Sequence, residues 1–189
     1  MDPIPPSPCK VTRTKGRYAG MFVAAVVCVL FALLSVCHSV LTEKELILDS
    51  GVIIKYYYRA SPFGSTAKTV ILLHGAKYSK ETWIKTNTIF ALAQHFNVYA
   101  IDIPNKKVDD SVLKYIIEKL RVVKPAIVSP SLSGKYSIYL LTHYPDFVSA
   151  YIAVAPVIPQ INLAPLESLD VKSLFIYGDK DIEGIKRSR

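Results

Sequence analysis

Residues 126–134 read Ala126-Ile127-Val128-Ser129-Pro130-Ser131-Leu132-Ser133-Gly134, an apolar run passing directly into small residues. The apolar part suits a strand buried on both faces. Pro130 holds Ser129 extended, as in a strand running up to a turn. Gly134 to His143 has the pattern of a helix, ended by Pro145. Strand, sharp turn and helix in that order make a nucleophile elbow, whose usual pattern is G-x-S-x-G. Both glycine positions are serine here, Ser129 and Ser133, the next smallest compatible choice. Ser131 then stands at the amino end of a helix, whose dipole favours developing negative charge. Serine-rich helix starts also occur as simple caps, so the reading rests on context, which the flanking sequence supplies.

Working outward, Gly51 to Tyr58 is rich in β-branched and aromatic residues and reads as a strand. Thr69 to Leu73 is a second buried run, ending in His74-Gly75. Ser79 to Gln94 has helical spacing through Trp83, Ile84, Phe90, Ala91 and Leu92, with Ser79 or Thr82 as cap. Asn97 to Ile101 is a strand and Asp109 to Leu120 a helix, capped by Asp109 or Asp110. Ala150 to Val154 and Ser173 to Tyr177 are two more strands. This alternation implies an α/β fold, a mostly parallel sheet with helices on both faces. Functional residues of such sheets sit beyond the carboxyl ends of the strands.

Two further strand-end loops therefore matter. In His74-Gly75-Ala76, the Ala76 N–H is placed to meet the Leu132 N–H as a two-donor oxyanion hole. The His74 side chain reads as a loop imidazole satisfied by backbone. Gly178-Asp179-Lys180-Asp181 offers a carboxylate to orient a catalytic histidine, or a solvated turn.

The chain has 189 residues, 51% hydrophobic and 20% charged, with a net charge of +8. That composition excludes disordered and collagen-like classes. The mean hydropathy of +0.29 is high for a soluble domain. The excess lies in residues 19–37, AGMFVAAVVCVLFALLSVC, which carry neither charge nor proline. At ~1.5 Å per residue a helix of this length nearly spans a bilayer's hydrocarbon. A cleaved signal peptide is the competing reading, although its apolar region is usually shorter. Lys10, Arg13, Lys15 and Arg17 precede the segment. Positive charge stays cytosolic, so the following domain is expected to be lumenal or extracellular. The chain thus divides into a basic, proline-containing tail over 1–18, a single-pass anchor over 19–40 and a domain over 41–189. Cys9, Cys28 and Cys37 all precede that domain and lack metal-ligand spacing. Its remaining charge is ordinary and supports no nucleic-acid role.

Leu72-Leu73-His74-Gly75, Glu81-Thr82-Trp83, Ala100 to Pro104, the serine elbow, Val154-Ala155-Pro156 and Tyr177 to Asp181 stand in order. In this they resemble the α/β-hydrolase superfamily, over about Ser50 to Asp181, and the N-terminal segment resembles that of its membrane-anchored members. The resemblance implies Ser131 as nucleophile and Asp181 as triad acid. It also implies Ala76 and Leu132 as oxyanion donors, and hydrolysis or transfer of small acyl groups without metal or cofactor.

Two features depart from that pattern. Asn105-Lys106-Lys107 replaces a glycine-rich continuation, and no histidine follows Asp181. The expectation is an α/β-hydrolase fold lacking its last strand and helix, with an incomplete triad, weak turnover and an uncovered edge at Ser173–Tyr177. A catalytically silent, anchored interaction protein is the alternative these features suggest.

Overall fold

The computed structural model describes residues 40–104, 108–157, 170–182 and 184. The tail expected over 1–18 lies outside them, as does the anchor expected over 19–40 except for Val40. Among the described residues, no helix is long and apolar enough to cross a membrane.

Seven strands form one sheet: β1 (Thr42–Ile47), β2 (Ile53–Arg59), β3 (Thr69–Leu72), β4 (Asn97–Ile101), β5 (Ala126–Pro130), β6 (Ala150–Val154) and β7 (Lys172–Ile176). Their order is β1-β2-β4-β3-β5-β6-β7. β1–β2 and β2–β4 pair antiparallel, and every other pair is parallel. The helices are α1 (Glu81–Lys85), α2 (Thr88–Leu92), α3 (Val112–Leu120) and α4 (Gly134–His143).

The apolar runs are continuous because alternate residues feed opposite cores. Ile71, Ile101 and Ile127 pack with Val112, Leu113, Ile116, Ile117 and Leu140 of α3 and α4. Val70, Leu72, Val98 and Ala100 pack instead with Ile89, Ala93 and Trp83 on the α1–α2 side. Each fully buried aliphatic side chain contributes roughly 1.5–3 kcal/mol.

Three expectations needed correction. The helix read over Ser79–Gln94 is two, because Asn87 adopts a left-handed conformation (φ 60°, ψ 8°) between α1 and α2. Neither Ser79 nor Thr82 caps it. The N-cap position is Lys80, without a side-chain cap bond, and the Ser79 hydroxyl bonds the Glu81 carboxylate instead. Asp109 lies two residues before the N-cap position of α3 and accepts the Ser111 N–H at 2.8 Å. Strand β1 was missed altogether. Two of its charged residues are paired across to β2: Lys44 lies over the Tyr58 ring at 5.3 Å and Glu45 pairs with Lys55 at 3.3 Å. Charge along an edge strand is a common guard against unwanted pairing. At the other edge, all five residues of β7 are exposed, among them Leu174, Phe175 and Ile176.

The chain leaves β3 for β4 on one side and returns through α3 to β5 on the other. The carboxyl ends of β3 and β5 therefore flank the point where strand order reverses, the place where ligands bind in open α/β sheets.

Candidate active site

β3 and β5 pair in register from Val70↔Ala126 to Leu72↔Val128. The Leu73 N–H continues the ladder to the Val128 carbonyl at 2.9 Å. Their outgoing loops must then emerge side by side. One carries His74-Gly75-Ala76 and the other Ser131.

Ser131 follows an extended Pro130 (φ −88°, ψ 140°) and has φ +50° itself. Such a left-handed conformation costs a non-glycine residue about 1–3 kcal/mol. It persists because both sides hold it. A single 3-10 turn, Ser131–Ser133, runs on into α4, and the Ser131 carbonyl accepts the Val157 N–H at 2.8 Å. The Ser131 side chain is exposed. The turn starts after an extended residue, so the Leu132 N–H has no carbonyl of a preceding turn to bond.

Two glycines set the approach distances. A Cβ on Gly134 would lie 2.7 Å from the Val157 carbonyl oxygen and 2.9 Å from Pro156 Cβ. α4 can start where it does only because that position has no side chain. A Cβ on Gly75 would lie 3.3 Å from Ser131 Cβ and 3.4 Å from Tyr78 Cδ2. The two strand-end loops thus meet at Gly75. Gly75→Ala is expected to keep the fold while pushing the loops apart by a few tenths of an ångström, which circular dichroism beside acyl-ester turnover would separate.

The peptide after Gly75 is oriented by its own carbonyl. That oxygen accepts the Tyr78 N–H at 3.0 Å and His74 Nδ1–H at 2.9 Å. His74 Nε2 accepts the Ile103 N–H at 2.9 Å, which assigns the proton to Nδ1. In a trans peptide N–H and C=O point opposite ways, so the Ala76 N–H faces away from both donors. Among the described residues it has no backbone acceptor. Both imidazole nitrogens of His74 are committed to backbone, so the ring serves the loop.

Under the elbow, serine replaces both pattern glycines with a buried hydroxyl chain. Ser129 Oγ lies 3.0 Å from Ser133 Oγ and 2.8 Å from Ser137 Oγ, and Ser137 Oγ donates to Tyr151 Oη at 3.1 Å. Ser133 Oγ also donates to the Pro130 carbonyl at 2.7 Å. All three serines are fully buried. Burial raises the Tyr151 phenol above its usual range, so it joins the chain as a neutral group. Ser137 and Tyr151 were not anticipated, although Ser129, Ser133 and Ser137 recur every fourth residue.

Asp181 lies in the turn after β7, its N–H on the Gly178 carbonyl and its Oδ1 accepting the Gly184 N–H, both at 3.0 Å. β7 is two strand spacings from β5, about 10 Å. His143 ends α4, about 18 Å along the helix from Ser131, and its ring stacks on Tyr139. His95 follows α2. Among the described residues, then, no imidazole is placed to bridge Ser131 and Asp181, and no cluster of His, Cys, Asp or Glu could hold a metal.

A 450 Å³ cavity lined by His74, Tyr78, Asp102, Ile103 and Lys55 adjoins the Ala76 loop. A second, of 610 Å³, lies between the β1–β2 turn and α3 and shares no lining residue with the elbow.

Lys80, also unanticipated, is buried beside the same loop. Its Nζ lies 2.7 Å from Glu81 Oε1, 3.0 Å from Asp102 Oδ2 and 3.2 Å from Glu43 Oε1. Burial alone would lower its pKa, but the bonds to Glu81, Asp102 and Glu43 outweigh it and raise it above the usual 10.5. The same Lys80 bond, with the Ser79 hydroxyl, lowers Glu81 to about 2 from the usual 4.5. Because the folded value is the lower one, Glu81 stabilises the fold fully above pH 4.5, and that contribution fades as pH falls toward 2. Glu81→Gln is expected to flatten the acid limb of stability against pH in that window, read by urea denaturation.

No protein-family model matches the sequence. The chain is 33% identical over 146 residues to "Putative protein-lysine deacylase ABHD14B" of Pongo abelii, covering 68% of this chain and 70% of that protein. The human protein of that name is 32% identical over the same shares. Protein ABHD14A of Danio rerio is 28% identical over 67% of this chain, which spans about half (54%) of that relative's length. Among solved structures, a "predicted CIB-like hydrolase" from Thermoplasma acidophilum superposes with a TM-score of 0.65 at 21% identity, covering 75% of this chain and 76% of that one. At a third identity over more than two thirds of both chains, the chain belongs to the ABHD14 family of α/β-hydrolases.

Proposed function

We propose that the chain is a serine hydrolase acting on small acyl esters or acyl groups. Ser131 Oγ attacks the acyl carbonyl carbon, and the Ala76 and Leu132 N–H groups receive the oxyanion. Asp181 is the acid for a triad imidazole that no described residue supplies, so in this chain the serine proton passes to water. One observation carries the reading: an exposed serine held at φ +50° on a strand-to-helix turn, against the Gly75 loop. A strained residue at an exposed turn points to function rather than packing. The deacylase name of the ABHD14B relatives adds acylated lysine as a candidate acyl donor.

Within the 189 residues no histidine follows His143, so for this polypeptide by itself the proposal is slow turnover. The apolar residues 19–37 support anchoring by a single pass, with the domain lumenal or extracellular. The exposed Leu174, Phe175 and Ile176 of β7 favour a second reading, an anchored interaction protein.

Hydrolysis of p-nitrophenyl esters of increasing acyl length tests the first reading. Turnover by the wild type that Ser131→Ala lacks is expected, strongest for the shortest acyl groups. Equal rates for the two proteins would remove the hydrolase reading and leave the second.

A further inference from the structure

We propose that Lys80 is a positioning residue for the acyl chemistry: it clamps the far end of the Ala76 loop onto Asp102, and so holds that donor beside Ser131. The inference rests on the hydrolase reading for its chemical consequence, but not for its geometry.

The loop runs from Leu73 to Lys80, between β3 and α1. Its near end is fixed by the ladder bond to Val128 and by Trp83 Nε1–H on the Leu73 carbonyl at 3.0 Å. Its middle is fixed by the two donors on the Gly75 carbonyl. The two bonds on the Gly75 carbonyl lie within the loop, while the Val128, Trp83 and Ile103 bonds hold its first two residues, so the near end is placed and the far end is not.

The far end is placed by one residue at two points. Lys80 donates its backbone N–H to Asp102 Oδ1 at 2.7 Å and its ammonium to Asp102 Oδ2 at 3.0 Å. The Asp102 backbone is anchored, since its own N–H extends the β2–β4 ladder to the Lys55 carbonyl at 2.9 Å. The ammonium has three N–H donors, and Asp102, Glu81 and Glu43 match them, with the Tyr57 ring 4.7 Å away. Glu43 belongs to β1, Tyr57 to β2 and Asp102 follows β4. The loop end is thereby tied to three neighbouring strands, from the β1 edge inward. Lys80 is 4% exposed and Asp102 27%, whereas Glu81 and Glu43 are 40% and 53% exposed, so the bond to Asp102 is the one water screens least.

A shift of about 1 Å in a catalytic group costs up to ~10²-fold in rate. Loosening the clamp is therefore expected to change kcat more than KM.

Lys80→Met, Lys80→Arg and Asp102→Asn in the full chain test this, with hydrogen exchange at the Tyr78 amide and p-nitrophenyl acetate turnover as readouts. Tyr78 N–H bonds Gly75 O, so its protection reports the loop directly. Lys80→Met is expected to lose that protection and about 10-fold in kcat with KM little changed. Lys80→Arg is expected to restore much of both. Asp102→Asn, which keeps an acceptor for the Lys80 N–H, is expected to fall between them, and serves if Lys80→Met does not fold. Unchanged Tyr78 protection and kcat in folded Lys80→Met or Asp102→Asn would overturn the proposal, whatever happens to melting temperature. Equal turnover by wild type and Ser131→Ala would instead remove the hydrolase reading, and with it the chemical role. The exchange result then decides the clamp alone.

Discussion

Ser131→Ala is expected to bring acyl-ester turnover down to what the two oxyanion donors achieve with water alone, a fall of about 10-fold at most, because triad members act as a unit and no imidazole is placed to activate the serine. The substitution removes one exposed hydroxyl and leaves the backbone as it is. Stability should rise or fall little, since Ser131 Oγ makes no hydrogen bond among the described residues while its carbonyl keeps the Val157 bond. Alanine tolerates φ +50° about as poorly as serine does. A fall in turnover with an unchanged melting temperature therefore isolates chemistry from folding. Ser133→Ala makes the opposite control. It breaks buried bonds to Ser129 and to the Pro130 carbonyl, so it should cost about 1–3 kcal/mol of stability, and turnover should suffer only through the elbow's shape.

Gly134→Val is expected to be the most destabilising single change at the site. The first carbon added already falls 2.7 Å and 3.0 Å from the backbone of Val157. Backbone cannot rotate away as a side-chain tip can. Overpacking of this kind costs about 1–3 kcal/mol, and the valine methyls take it to the upper end or beyond. Alanine at the same place gains up to ~1 kcal/mol in helix propensity over glycine, which offsets only part of its smaller clash. The order of melting temperatures should be Gly, then Ala, then Val, at about 2–4 °C per kcal/mol for a domain of this size. Alanine equal to or above the wild type would mean that residues 156–157 do not press on the start of α4.

The sequence disclosed the central sheet because its strands are buried on both faces. Val70 to Leu73, Val98 to Ile101 and Ala126 to Val128 stay apolar without alternation for that reason. It also disclosed the neighbouring loops, since parallel strands bring their carboxyl ends to one side. β1 was hidden by its exposure, as Thr42-Glu43-Lys44-Glu45 has no apolar face to read. The break at Asn87 was hidden because Trp83 and Ile84 before it, and Phe90 and Leu92 after it, all face one core. Lys80 was hidden by distance along the chain. Two of its three carboxylate partners, Glu43 and Asp102, lie far from it in sequence, and nothing in a lysine between Ser79 and Glu81 announces a buried ammonium. The sharp turn at Ser131 was legible because such a turn demands small residues on both sides, a local requirement that a linear sequence records.

The central claim is that Ser131 Oγ is the reactive nucleophile. Treating the full chain with a fluorophosphonate and mapping the adduct by mass spectrometry tests it most directly. One phosphonyl group on Ser131, absent from Ser131→Ala, is the predicted result. No adduct after prolonged treatment, or an adduct on another residue that survives Ser131→Ala, would contradict it.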